Sequence, residues 1–184
     1  GKHESIAQFE GMKERSIIVN GVSKAYAMTG WRIGFIAAPQ WIVKGCNKLQ
    51  GQYTSGPCSV SQKAAEAAYT LPQDCVETMR QAFERRRDLI VSLAKEIPGL
   101  EVNKPEGAFY LFPKCSSFFG KTDGQRTINN STDFAMYLLE VGHVATVGGD
   151  AFGDPDCFRM SYATSDDNIK EAMSRIKNAL SLLK

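Results

Sequence analysis

Lys24 and Arg32 stand eight residues apart in the stretch Val19-Asn20-Gly21-Val22-Ser23-Lys24-Ala25-Tyr26-Ala27-Met28-Thr29-Gly30-Trp31-Arg32-Ile33-Gly34, with no acidic residue between them. A buried charge without a partner costs several kcal/mol, so two cations in apolar sequence call for an anionic ligand. A lysine amine condenses with an aldehyde. A guanidinium grips a phosphate through parallel N–H donors. An anionic aldehyde would use both groups. A lysine attacks a carbonyl only as the free amine, which a nearby cation and apolar walls favour, so such walls are expected around Lys24. A third cation lies in Cys157-Phe158-Arg159-Met160-Ser161-Tyr162-Ala163. Strand alternation sets Phe158, Met160 and Tyr162 on one face and Arg159 with Ser161 on the other. Arg159 there requires a carboxylate, from the protein or from a ligand.

The elements that position these groups follow from hydrophobic pattern. Residues 16–20 and 33–38 are apolar runs without polar alternation, which predicts strands buried on both faces, as in an α/β sheet. Pro39 suits the first turn of a helix whose Ile42, Val43, Cys46 and Leu49 share a face. Gly51 to Pro57 reads as a polar loop, in which Tyr53 either faces a ligand or is an ordinary loop aromatic. Ser59 is placed to cap a helix through Tyr69, with Ala64, Ala65, Ala67 and Ala68 allowing close packing, and Leu71-Pro72 ends it. Residues 74–97 form the clearest helix, with Val76, Met79, Phe83, Ile90, Leu93 and Ile97 on one side and Pro98-Gly99 as its stop. Arg85-Arg86-Arg87 reads as a solvated part of that helix.

Residues 100–103 and 108–112 read as a strand pair about the turn Lys104–Gly107. The segment 114–130 is irregular. Ser131 or Thr132 caps a helix holding Phe134, Leu138 and Leu139 and closing at Gly142. Strands over 144–147 and 157–163 follow. The loop joining them, with Gly148, Gly149 and Gly153, lacks the spacing of a dinucleotide fingerprint. Thr164 with Asp167 resembles a capping box, and Ile169, Met173, Ile176, Leu180 and Leu183 stripe the last helix.

The 184 residues allow one or two domains, and 43% hydrophobic with 23% charged residues are ordinary values for a chain with a core. A net charge of +2 points to neither nucleic acid nor a membrane surface, and no apolar run approaches the roughly 18 residues of a membrane span. Residues 1–15 read as a polar lead-in, and the missing initiator Met fits a truncated or processed start. Cys46, Cys58, Cys75, Cys115 and Cys157 show no metal-ligand spacing and read as reduced thiols in a cytoplasmic protein. His3 and His143 read as structural or exposed.

The segment Ser23–Gly34 closely resembles the cofactor-lysine motif of the class I aminotransferases, which are pyridoxal-phosphate enzymes: a Lys, then Gly30 six on, Arg32 eight on and Gly34 ten on. The wording Ala27-Met28-Thr29-Gly30-Trp31-Arg32-Ile33-Gly34 is most similar to the bacterial aspartate-aminotransferase subgroup. The resemblance covers essentially the whole chain but only the C-terminal part of the family's sequence. It implies an α/β fold, with residues 1–75 as the C-terminal part of the large cofactor-binding domain and 76–184 as the α/β small domain, the boundary falling inside the 74–97 helix. It implies pyridoxal 5′-phosphate as cofactor, Lys24 as the catalytic and cofactor-binding lysine, Arg32 and Ser23 on the phosphate, and Arg159 on the substrate's α-carboxylate. Where many relatives have Ser or Thr three residues before the lysine, this chain has Gly21, so that donor is lost or replaced by backbone.

The turn Gly107–Tyr110 corresponds to the small domain's substrate-facing wall. The implied reaction moves an amino group between an amino acid, aspartate, and a 2-oxo acid in a homodimer. The family's carboxylate for the pyridine nitrogen, its ring-stacking aromatic and its phosphate-binding helix N-terminus all lie upstream of the lysine, so residues 1–184 alone are not expected to be a competent transaminase. The sheet edges at 16–38 are then left disordered or paired between chains. Alanine, aromatic and kynurenine transaminases and the related carbon–sulfur lyases share the motif. A non-catalytic, self-associating α/β module is the reading from another class, and an acyltransferase of the related synthase branch fits less well because its wording around the lysine differs.

Overall fold

A computed structural model describes residues 3–184 of the chain. The chain forms two compact units, 1–79 and 80–184. In the first, β1 (Ile18–Gly21) and β2 (Gly34–Ala37) pair antiparallel, with Ile18 opposite Ala37 and Gly21 opposite Gly34. The pairing draws the ends of the intervening 22–33 connection together. At its foot the backbones nearly touch: a Cβ on Gly21 would lie 3.1 Å from the Ile33 carbonyl oxygen and 3.2 Å from the Gly34 Cα. A Ser or Thr side chain at 21 would press on that backbone, which gives a physical reason for the glycine.

The expectation that these strands are buried on both faces is not met. Val19 is 76% exposed and Phe35 46%, because the described residues cover the two-stranded ribbon only in part, through contacts such as Tyr69 on Phe35. The helix α1 (Gln40–Tyr53) follows Pro39, which is its N-cap, and runs through Gly51 and Gln52 to Tyr53, where a loop was expected. It buries no residue fully, and its Cys46 and Leu49 are exposed. Helix α2 (Ser59–Thr70) is capped at Cys58, with Ser59 as its first helical residue. Its alanines 64, 65, 67 and 68 are half-buried, as close packing requires. Tyr69 meets Tyr26 and Phe35 edge-on, with ring centroids 5.2 and 5.6 Å apart. In this unit Val22 is the buried apolar side chain and Ser61 the buried polar one, among the described residues.

Helix α3 (Asp74–Lys95) carries Asp74 and Glu77 in its first turn and Lys95 in its last, matching the helix dipole. In the second unit its Ile90, Val91 and Ala94 join Ile97 in the core, with Phe83 and Leu93 packed against them. Gly99, at φ +93°, ends the segment against the Phe118 ring. The antiparallel order is β3–β5–β4, from β3 (Tyr110–Leu111), β4 (Val147–Gly148) and β5 (Phe158–Ser161). The expected 100–103 strand is reduced to one bridge, Glu101 with Lys114, and of residues 108–112 Tyr110 and Leu111 pair with β5 instead.

Helix α4 (Ser131–Glu140) is capped by Asn130, whose side-chain oxygen accepts from the Asp133 N–H; Ser131 is buried inside the first turn. Helix α5 (Asp166–Leu180) is capped by Ser165, one residue after the expected Thr164, and Thr164 accepts from the Asn168 side chain. The α5 residues Ile169, Met173, Ile176 and Leu180 are buried as their spacing predicts, and Leu183, expected in the same stripe, is buried just beyond the helix. Each such side chain contributes roughly 1.5–3 kcal/mol. Arg85 and Arg86 do not form a purely solvated face, since both bond Asp166 at the start of α5, at 3.1 and 3.4 Å.

Candidate active site

Ser23, Lys24 and Arg32 lie on the single connection between β1 and β2. A turn closed by the Ala27 N–H on the Lys24 carbonyl, at 3.1 Å, presents Lys24. Tyr26 anchors the connection, donating its hydroxyl to Gln73 at 2.9 Å. A 3-10 turn, Thr29–Trp31, ends at Arg32, which adopts the left-handed conformation at φ +49°. Non-glycine residues rarely occupy that region, at a cost of about 1–3 kcal/mol. Arg32 offsets part of it by donating from Nη1 to the Thr29 carbonyl at 2.8 Å. Ala27 is similarly left-handed at φ +53°. Two left-handed non-glycine residues thus fall in the loop that carries the amine and the guanidinium, and strain of this kind is found at ligand-binding sites.

The apolar walls expected around Lys24 are not formed by the described residues. Lys24 and Arg32 are exposed and Ser23 is half-buried. A groove of about 290 Å³ flanks the foot of the loop, along Gly21, Ile33, Gly34 and Tyr69. Another of about 440 Å³ runs along Tyr26, Met28, Trp31 and Leu71. Neither is lined by the amine or the guanidinium.

Arg159 sits in the second unit, on β5 opposite Val147. The burial alternates as the strand pattern predicts, with Phe158, Met160 and Tyr162 buried, Arg159 half-buried and Ser161 exposed. The arginine Cζ lies 4.2 Å from the Tyr110 ring centroid and 4.1 Å from that of Phe152. Among the described residues no carboxylate pairs with it. Its demand for an anion is therefore not met from within the described fold.

Phe152 was not evident as a site residue from sequence, and Tyr110 was read only as part of the substrate-facing turn Gly107–Tyr110. That turn was legible only as shape: Ala108 is left-handed at φ +61°, and its carbonyl accepts from the Tyr162 hydroxyl at 3.0 Å. Tyr53 ends α1 at 82% exposure.

The chain matches the family described as aminotransferase class I and II over residues 1–176. The chain belongs to that family. It is 49% identical over 186 residues to a bifunctional aspartate aminotransferase and glutamate/aspartate-prephenate aminotransferase of Petunia hybrida, covering 99% of this chain and 39% of that protein. It is 50% identical over 175 residues to an aspartate aminotransferase of Rhizobium meliloti, covering 94% and 43%. The crystal structure of the aspartate aminotransferase from Rhizobium meliloti superimposes with a TM-score of 0.93 at 48% identity, over 98% of this chain and 46% of that one. An aromatic aminotransferase from Pyrococcus horikoshii gives 0.87 at 40% identity, over 98% and 47%. The chain thus spans about two fifths of the length of the curated relatives it matches.

Aminotransferases of this family depend on pyridoxal phosphate, and the α/β architecture here is theirs. The residues present fit that cofactor. The loop offers a primary amine for its aldehyde, a hydroxyl, and a guanidinium with one donor tied to Thr29 and its others available for a phosphate.

Proposed function

We propose that this chain supplies the amine and the carboxylate-binding arginine of an enzyme that moves an amino group between aspartate and a 2-oxo acid. The observation that carries the reading is the strained β1–β2 connection, which presents Lys24 and Arg32 from one rigidly anchored loop at the family's spacing. Aspartate is supported by the names of the relatives above. In this reading the two units are the C-terminal part of the large cofactor domain and the small domain, the cytoplasmic enzyme is a homodimer, and four residues have roles.

Lys24 holds pyridoxal 5′-phosphate through Nζ. The same Nζ would serve as the base that moves the proton at the substrate's α-carbon. Arg32, braced on Thr29, turns its remaining donors to the phosphate, with the Ser23 hydroxyl beside it. Arg159 takes the α-carboxylate through two parallel N–H donors, as a planar fork does. The cofactor, when bound, supplies the electron sink for the charge left at the α-carbon. With Lys24 exposed, residues 1–184 alone hold the cofactor weakly and do not turn over.

The test is to incubate the chain with a small excess of pyridoxal phosphate, reduce with borohydride and map the labelled peptides. Label concentrated on Lys24, and lost in Lys24→Arg, is the expected result; aspartate should yield no oxaloacetate. Label spread evenly over surface lysines would remove the preformed site. A second reading, a self-associating module without chemistry, is favoured by one observation: the exposed apolar side chains of β1 and β2.

A further inference from the structure

We infer that Tyr110 and Phe152 are positioning residues for Arg159, an aromatic clamp that turns its guanidinium into an edge-on receptor for a planar carboxylate. The inference rests on the reading of Arg159 given above and extends it to two residues that reading does not use. Both rings lie about one van der Waals layer from the Arg159 Cζ, at 4.2 and 4.1 Å. They form no ring pair with each other, so they flank the cation from separate sides. Two rings this close to Cζ restrict the directions from which a ligand reaches the guanidinium and favour approach to its N–H edge. At that edge a carboxylate makes two parallel hydrogen bonds.

The clamp is built into the fold from two directions. Tyr110 pairs with Ser161 across β3 and β5, two residues along the strand from Arg159. Phe152 ends a 3-10 turn, Gly149–Phe152, closed by Gly153 at φ +86°. That turn can form only with glycine at 149, since a Cβ there would collide with the carbonyl oxygens of Asp154 and Cys157. Phe112 buttresses Phe152 at right angles, with centroids 6.0 Å apart. Phe109 packs on Tyr110 at 4.3 Å. Phe152 is 43% exposed. A ring so placed contributes little to the core, yet it is braced on one side and stacked on a cation on the other. Orienting Arg159 explains why it is there.

The experiment observes the Arg159 Nε–Hε group by NMR in the 184-residue chain, assigned with Arg159→Lys, and titrates succinate as the carboxylate probe. The clamp predicts an Arg159 Hε resonance moved upfield by ring currents. It also predicts that Phe152→Leu returns the resonance toward its ordinary position and weakens succinate binding about 3- to 5-fold, the scale of one exposed cation–π contact. Phe152→Tyr should restore both. Tyr110→Leu provides a second, independent removal of one face. A resonance at its ordinary position in the unsubstituted chain, or succinate affinity unchanged in both leucine variants, overturns the clamp. Succinate affinity unchanged in Arg159→Lys would instead overturn the reading of Arg159 itself while leaving the ring-current result to stand, so the two failures are distinct.

Discussion

Cys58 stands at the N-cap of α2, where the backbone N–H groups of Ser61 and Val60 hold its thiol below the ordinary range. Cys115 and Cys157 are the opposite case. Burial pushes Cys115 up to about 12, and burial with the Asp154 carboxylate beside it pushes Cys157 up to about 11. Thiolate is the reactive form. Iodoacetamide at neutral pH should therefore label Cys58 first, ahead of the exposed Cys46 and Cys75, and should reach Cys115 and Cys157 only after unfolding. Peptide mapping over time checks this, and equal rates at Cys58 and Cys46 would contradict it. None of this was legible from sequence, where the five cysteines read alike. Lys24, Ser23, Arg32 and Arg159 could be proposed from the sequence because they stand within or beside motifs that resemble those of the family. The contact of Tyr110 and Phe152 with Arg159 could not, because a ring becomes a partner for Arg159 only when β3 and the Gly149–Phe152 turn return beside β5, and no local period records that return.

At the scale of elements, the reading succeeded where an apolar stripe has one neighbour to pack on and failed where the neighbour is not among these residues. The 3.6-residue stripes of α3 and α5 were identified because each meets the core of its own unit. The β1 and β2 runs were correctly located, but their predicted burial depends on a covering layer that the described residues provide only in part. The same logic exposes a device at the start of α5. Asp166 bonds Arg85 at 3.1 Å and Arg86 at 3.4 Å, and the Arg85 hydrogen bond, with Arg86 adding to it, holds its carboxyl below the ordinary range. A carboxyl depressed in the folded state stabilises above its unfolded pKa, and the gain is lost as pH falls through the folded value. Urea melts of Asp166→Asn against the unsubstituted chain should differ by a constant amount above about pH 5 and converge in more acidic solution. A gap that persists unchanged into acid would mean that Asp166 acts through packing rather than charge.

For the molecule as a whole, the two units carry unequal cores. Aromatic and aliphatic side chains from α3, α4, α5 and the three-stranded sheet fill the second unit, whereas the first buries little beyond Val22 and Ser61. The first unit instead leaves Val19 at 76% exposure, Trp41 at 75%, Leu49 at 61% and Phe35 at 46%. Its ribbon also has two unpaired edges, because among the described residues β1 and β2 pair only with each other. Apolar surface together with free strand edges favours association, and lysine on an edge strand opposes it. Sedimentation velocity on the 184-residue chain should therefore show mass rising with concentration. Val19→Lys should shift that rise to concentrations about tenfold higher, the effect of losing roughly 1.4 kcal/mol from each contact. The same substitution should leave borohydride fixation at Lys24 unchanged, because Val19 lies on the ribbon and not on the loop that holds the amine. A chain that stays monomeric throughout would remove the self-associating module as a reading. Association with no preference for Lys24 in the labelling experiment would favour that module over the enzyme. Lys24-directed labelling, with or without association, is the result the aminotransferase reading requires.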